Sequence, residues 1–421
     1  MIISDYNPEK LLEKRLDERA KKLEDASRII GENSLNELNK LIDIYDEKMY
    51  IWLTELWEHR IGGFYYSPSA RDNAGFLPDL ESTGQALQFI HDSGLCPEYK
   101  DIPETIKMKM ISFARELQSA EDGFFYHAQW GKDIPTSRRG RDLVWANGII
   151  QRLGAAMKYP SPLDTQAKAA PKRAEHLSDI NAYKKYLSEF EDPDSKYYIK
   201  KHSYPLGNLL ASQGAQIKAA GDEYVLCTKE FLDRHQYSHN GLWQEKTDYD
   251  PVNGLMKIST LYSMLGLELP NAEQALKSAL EVALKPDGAS RIVYVYNPLC
   301  AMKEALKSVK ISCGEERASE LRKTVLDSAS EIISAARNKV LRFKKEDGSF
   351  SYCPDRSADK SQGVPVAIPN TNEGDVNSTK ISLCAVLGET CGALGIETPR
   401  VFSSEDGRIF FNLLQERNDV K

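Results

Sequence analysis

Apolar residues recur at three- and four-residue spacing along most of the chain, and strict alternation is scarce. In "SLNELNKLIDIYDEKMYIWLTELWEHR", Leu35, Leu38, Leu41 and Ile42 fall at helical spacing, with Ile44 close by. Such a stripe marks an amphipathic helix. These helices keep running into a small-residue turn followed by aromatics. The turn occurs as "GGFYYSPS" (Gly62), "EDGFFYHAQW" (Glu121), "PDSKYYIKKHSY" (Pro193), "HNGLWQEKTDY" (His239), "PDGASRIVYVY" (Pro286) and "EDGSFSYCPD" (Glu346). The copies lie about 45 to 70 residues apart, as in a repeat array.

Asp-Gly or Asn-Gly can end a helix, because Gly takes the left-handed position after the last turn without a Cβ penalty. Each turn then leads through a loop into a second helix that starts on small and polar residues. Those starts are "PDLESTGQALQFI", "RDLVWANGIIQRLG", "PLGNLLASQGAQIKAAG", "DPVNGLMKISTLYSMLG", "NPLCAMKEALKSV" and "GDVNSTKISLCAVLGETCGALG". Asp, Asn and Pro there are capping chemistry. The second helices are rich in Ala, Gly and Ser, which suits a close-packed inner layer. The first helices, such as "ELRKTVLDSASEIISAARNKVLRFKK", carry more charge and suit an outer one. The expectation is an all-α fold of about six helical hairpins closed into an α/α toroid over residues 34–421. Residues 1–33 are expected to form a charged helical extension, and residues 403–417 a last helix. The third copy, with Ser-Lys in place of Asp-Gly, and the fifth, where "SRIVYVY" suits a short strand, are the weakest. An open α-solenoid is the structural alternative.

The chain has 421 residues, 41% of them hydrophobic, ample for a large core. Its net charge of -7 and lack of a long basic run argue against nucleic acid as a partner. "ISLCAVLGETCGALGI" is too short for a membrane span and carries Glu389, so no membrane association is expected. The start "MIISDYNPEK" shows no basic then apolar leader, and cytoplasmic location is the expectation. Seven cysteines without a Cys-x-x-Cys suggest neither a zinc knuckle nor a disulfide framework, and no metal or cofactor is expected.

The layout resembles the six-hairpin carbohydrate-active enzymes, namely toroidal glycoside hydrolases and the toroid domains of polysaccharide lyases. "NGLWQEKTDYDPVNGLMKISTLYSMLG" is similar to the Asp-Gly-Leu-Trp-x-Gln loop and following helix of the unsaturated glucuronyl and rhamnogalacturonyl hydrolases, through Gly241, Leu242, Trp243 and Gln244. Those hydrolases continue with a Glu-Thr-Ser type helix start. Here the Glu-Ser-Thr version stands in the first copy, at Glu81, Ser82 and Thr83. The resemblance covers the repeat pattern and carries no family-specific catalytic signature. Terpene cyclases of this shape have an Asp-x-Asp-Asp acid, which Asp248 and Asp250 do not complete. Lanthionine-type cyclases and prenyltransferases need zinc ligands, and heparinase-type lyases append a β-sandwich; neither feature is evident.

Carboxylates at inner-helix starts are the first candidates for chemistry: Asp79, Glu81, Asp142, Asp250 and Asp375. Glycoside hydrolysis needs two carboxyl groups whose environments separate their pKa values. Asp at a helix start is more often a cap. Asp79 and Asp375 lead as catalytic residues because each belongs to a dense polar cluster, with Glu81 beside the first. In "YHAQWGKDIPTSRRGRD", Tyr126 and His127 can serve as base and acid for elimination. Arg138, Arg139 and Arg141 can bind a carboxylate or sulfate bidentately. The bland alternative is a basic surface loop. Tyr65, Tyr66, Phe125, Trp130, Tyr197 and Trp243 can stack on a sugar, although an aromatic after such a turn is more often core. Asn253 and Asn377 join Asp250 and Arg141 as binding candidates at the same mouth. His235 and His239, four apart, have helical metal-ligand spacing but no third ligand nearby. The first reading is a glycoside hydrolase-like enzyme acting on oligosaccharides that bear acidic sugars. The alternatives are an oligosaccharide lyase, a non-catalytic glycan- or protein-binding toroid, and an isoprenoid cyclase or transferase.

Overall fold

The helical periodicity is realised along the chain. The computed structural model describes residues 7–162 and 175–419. Among them, extended structure is confined to two short antiparallel pairs, Trp57–Glu58 with Gly63–Phe64 and Lys360–Ser361 with Val364–Pro365, beside isolated bridges. The fold is all-α. Among the described residues, no helix is long and apolar enough to cross a membrane.

Two kinds of helix occur, and Thr136–Arg152 and Ser203–Ala220, like the first kind below, keep one face open to solvent. Glu104–Glu116 buries Ile106, Met110, Ile111, Phe113 and Ala114 and turns its charged side outward. Leu80–Asp92 instead buries every residue from Leu80 to Leu87. A helix buried all round has neighbours on all sides. The small residues of such helices permit close approach. A Cβ on Gly254, in Tyr249–Leu265, would lie 2.0 Å from Ser203 Oγ of Ser203–Ala220, and one on Gly84 would lie 2.4 Å from the Trp145 ring. Leu80–Asp92 packs on Thr136–Arg152, and Ser203–Ala220 on Tyr249–Leu265. Tyr249–Leu265 packs on Val293–Cys313, and that helix on Gly388–Leu394. Val376–Lys380, continuous with Gly388–Leu394 through the wider turns of Ile381–Leu387, returns to Leu80–Asp92.

Three local expectations need correction. The Asp-Gly turns do not terminate helices. Glu104–Glu116 and Ala329–Val340 end several residues before Gly123 and Gly348, which sit at φ 73° and 87° in tight turns that fold the chain back on itself. Tyr126 N–H returns to the Leu117 carbonyl and Ser351 N–H to Phe343, so each turn is a miniature hairpin. "SRIVYVY" is not a strand, because Val293–Cys313 already runs from Val293, with Pro298 inside it. The helix expected to start at Asp142 starts at Thr136, so Asp142 lies in its second turn and not at its start.

The first helix spans Pro8–Ile42 and breaks at Gly31 (φ 74°, ψ 165°), near the expected boundary at residue 33. Residues 1–6 of the expected extension lie outside the described residues. Arg15 holds the segment before the break to the chain's last helix, Ser404–Asp419, reaching Asp406 at 2.6 and 2.9 Å.

The packing predicts a clear asymmetry among glycines. Gly254→Leu should destabilise by about 1–3 kcal/mol through overpacking. Gly154→Ala, at φ 77° with nothing within 4 Å, should cost only about 1 kcal/mol of backbone strain. Denaturant melts compare the two, and equal losses would contradict the close helix approach.

Candidate functional site

The clusters "PDLEST" and "GDVNST" fold identically. Asp79 caps Leu80–Asp92, accepting Ser82 N–H at 3.0 Å and Ser82 Oγ at 2.6 Å. Asp375 caps Val376–Lys380, accepting Ser378 N–H at 2.7 Å and Ser378 Oγ at 2.9 Å. The threonines pin the aromatic hairpins: Phe64 N–H donates to Thr83 Oγ1 and Phe350 N–H to Thr379 Oγ1, both at 3.0 Å. The first and last repeats also meet. Val376 N–H donates to the Tyr66 carbonyl at 2.9 Å, and Gln85 bridges Glu81 (3.0 Å) and Asn377 (2.9 Å).

The second repeat contributes Arg138, whose side chain is fully buried. Its guanidinium meets Asp79 Oδ1 at 3.1 Å, Glu81 Oε2 at 3.1 Å and Asp142 Oδ2 at 3.0 Å. Arg141, one turn on and 39% exposed, donates its Nε to Glu81 Oε1 at 2.6 Å. Three carboxylates therefore face two guanidinium groups, leaving one negative charge in excess. Asp142 absorbs it. Burial pushes its pKa up to about 7 against the pull of Arg138, and Asp79 and Glu81 add to the rise. Asp375 also rises to about 7, because complete burial outweighs its hydrogen bonds from Ser378 and Tyr66. The Tyr66 hydroxyl, buried beside Asp375, Glu81 and Asp79, is held well above the ordinary tyrosine range.

Glu81, Arg141, Tyr66, Asn377 and Tyr352 line a cavity of about 220 Å³. A hairpin over residues 360–365 covers it. Its two turn residues, Gln362 and Gly363, have φ of 51° and 90°, as a two-residue hairpin with the native twist requires. Ser361 Oγ donates to Glu81 Oε2 at 2.7 Å, and the Pro365 carbonyl accepts the Trp130 indole N–H at 3.1 Å. Trp130 in turn lies over the Arg138 guanidinium, 4.4 Å from its ring centroid. Depressions of about 370, 410 and 510 Å³ lie elsewhere, so size does not select this site; its density of charge does.

The remaining candidates scatter. His127 is buried, its Nε2 2.7 Å from the Pro78 carbonyl and its Nδ1 accepting Gln129 N–H at 3.3 Å, so both nitrogens are occupied. Burial lowers its pKa. Tyr126 donates to Asp122 at 2.7 Å, and Arg139 lies over Phe124, both on the flank of the second hairpin. Tyr65 packs against the core. Trp243 is fully buried, its indole N–H on the Leu232 carbonyl at 2.8 Å, so it is a core residue and not a stacking platform. Asp250 accepts the Tyr294 hydroxyl at 3.0 Å, and Asn253 is buried within its helix. His235 and His239 turn to different partners, His235 to the Phe231 carbonyl and His239 towards that of Glu245. Sequence reasoning missed Gln85, Tyr352, Lys360 and Ser361. Gln85 lies four residues after Glu81, one helical turn on, and that spacing was the available signal. The hairpin residues gave none.

Comparison with models of protein families and with curated proteins finds no match for this chain.

Two predictions follow from the charge arrangement. Arg138→Met leaves three carboxylates in a dry pocket and should cost about 3–5 kcal/mol, against within about 1 kcal/mol for Arg139→Met. Denaturant melts at neutral pH measure both. A carboxyl whose folded pKa is raised favours the fold below its unfolded value and loses that contribution as pH rises through its folded value, here about 7. Asp142→Asn and Asp375→Asn should therefore gain stability relative to the parent between pH 5 and 8. A stability difference that stays constant over that range would contradict the raised values.

Proposed function

We propose that the helices close into an α/α toroid and that the covered cavity is the active site of a carbohydrate-active enzyme. The reaction is hydrolysis of an oligosaccharide carrying an acidic sugar. The toroid is supported by the inner-helix contacts that run from Ser203–Ala220 through Tyr249–Leu265, Val293–Cys313 and the last inner helix back to Leu80–Asp92 and Thr136–Arg152. The reaction is supported above all by Glu81, a carboxylate on the cavity wall shared by two arginines and two neutral donors.

Asp79 is not on the cavity wall, and its oxygens are taken by Ser82 and Arg138, so it is assigned to positioning. The acid role passes to Asp375 acting through Tyr66: with a pKa of about 7, Asp375 is partly protonated at neutrality, and in that form it donates to the Tyr66 oxygen. Tyr66 gives its proton to the leaving oxygen and regains one from Asp375. Water adds to the anomeric carbon and passes its proton to Glu81. Arg141 lies across Glu81 when no sugar is bound. A sugar carboxylate competes for that guanidinium and relieves Glu81 Oε1 of it on docking, so that Gln85 alone remains on the oxygen that takes the proton. A glycan-binding toroid without turnover is the second reading, favoured by the complete set of hydrogen bonds on Glu81.

A panel of neutral and uronic oligosaccharides tests this reading. Turnover of an acidic member is expected, falling above about pH 7 as Asp375 loses its proton. Glu81→Gln should lower kcat by at least ~100-fold. Arg141→Met should chiefly raise KM for acidic members. Binding that Arg141→Met abolishes, without turnover, selects the second reading. Neither binding nor turnover across the panel overturns both.

A further inference from the structure

A second cluster of charge stands apart from this cavity, in the fifth repeat. The turn "KPDG", residues 285–288, and the end of Ala329–Val340 enclose an open depression of about 510 Å³. Three cations line it. Lys339 is 6% exposed, and its ammonium donates to the Val282 and Ala283 carbonyls at 3.2 and 2.8 Å. Those carbonyls end the helix Ala272–Leu284, whose dipole favours a cation there. Two of three N–H bonds are used, and one remains. Arg342 is exposed and makes a single long contact with the Ala289 carbonyl, at 3.4 Å. Its guanidinium fills the place a Cβ on Gly288 would take, 1.2 Å from that position. Lys285 completes the set, 2.8 Å from Asp248.

Of the two carboxylates nearby, one is matched by a cation and the other only by a neutral hydroxyl. Asp287 accepts the Tyr249 hydroxyl at 2.8 Å, and Asp248 is taken by Lys285. Among the described residues, neither Lys339 nor Arg342 has a carboxylate within ion-pair distance. A buried ammonium and a glycine-seated guanidinium thus flank one depression, and with Lys285 set against Asp248 and one cation against Asp287, a single positive charge is left over.

We propose that this depression binds a small oxyanion, the phosphate or sulfate group of a free ion or of a substituted sugar. Arg342 offers its planar fork to two oxygens, and Lys339 supplies its remaining N–H from below. Lys339 also makes the site sensitive to pH. Burial lowers its pKa to about 8, with Lys285 adding to the fall and Asp287 opposing it. The charged groups facing the ammonium are Lys285, Arg342 and Asp287, with the Tyr249 ring 5.5 Å from it.

Calorimetric titration of the full chain with sodium sulfate, at constant ionic strength set by chloride, tests the site. Sulfate does not titrate near neutrality, so any pH dependence belongs to the protein. Saturable binding is expected at pH 7, weakening as pH passes about 8. Arg342→Gln, on the surface, should keep the fold and weaken binding about tenfold, the loss of one charged hydrogen-bond pair. Lys339→Met should remove the pH dependence, with a thermal melt reporting whether the variant is folded. A hexose 6-phosphate that binds more tightly than inorganic phosphate identifies a sugar ester as the ligand, and equal affinities identify the free ion. No saturable sulfate binding, or binding that Arg342→Gln leaves unchanged, overturns the proposal.

Discussion

The Arg138 guanidinium is the point through which the candidate site is organised. It lies fully buried between Asp79, Glu81 and Asp142, joining the starts of two helices that begin more than fifty residues apart in sequence. Taking an ion out of water costs several kcal/mol, which is recovered only if every donor finds a well-placed acceptor. Arg138 meets that demand with three carboxylates and the face of Trp130. The excess negative charge sets the next requirement, which Arg141 and the raised pKa of Asp142 fulfil together. The covering hairpin depends on the same group, since Trp130 holds both Arg138 and the Pro365 carbonyl.

Around this centre, the first and sixth repeats share one local device. A short hairpin after an outer helix lays an aromatic residue against the core, and a threonine of the next inner helix pins its backbone. Phe64 with Thr83 and Phe350 with Thr379 are the two cases. The aspartate four residues before each threonine then caps its helix and accepts from the serine between them. The polar clusters are thus first of all scaffolding, and what distinguishes the site is the group that scaffolding leaves on the cavity wall. In the first repeat that group is Glu81, and in the sixth it is Asn377.

Much of the architecture was legible in the residues. The helical character follows from 3.6-residue periodicity, and the caps at Asp79 and Asp375 from side-chain chemistry, both of which are local. Convergence of Asp79, Glu81, Arg138, Arg141, Asp375 and Asn377 was legible in part, because repeats place equivalent residues in equivalent places. The hairpin over residues 360–365 was not, since it joins the sixth repeat to the first two across nearly three hundred residues of chain.

Local pattern alone determined that this chain would be helical and that Asp79 and Asp375 would cap helix starts. Only the tertiary structure decided which member of each look-alike set meets the cavity. Trp130 and Trp243 both follow a glycine-aromatic turn, yet one stacks on Arg138 and the other fills the core. Arg138, Arg139 and Arg141 stand in one run, but the helix begins at Thr136, so its rotation sends Arg138 inward, Arg141 to the cavity and Arg139 to the flank. His127 has the residue type for proton transfer, but the Pro78 carbonyl and the Gln129 amide occupy both nitrogens. In each case the deciding neighbour comes from elsewhere in the chain or from the rotation of the helix, and residue type and spacing do not encode either.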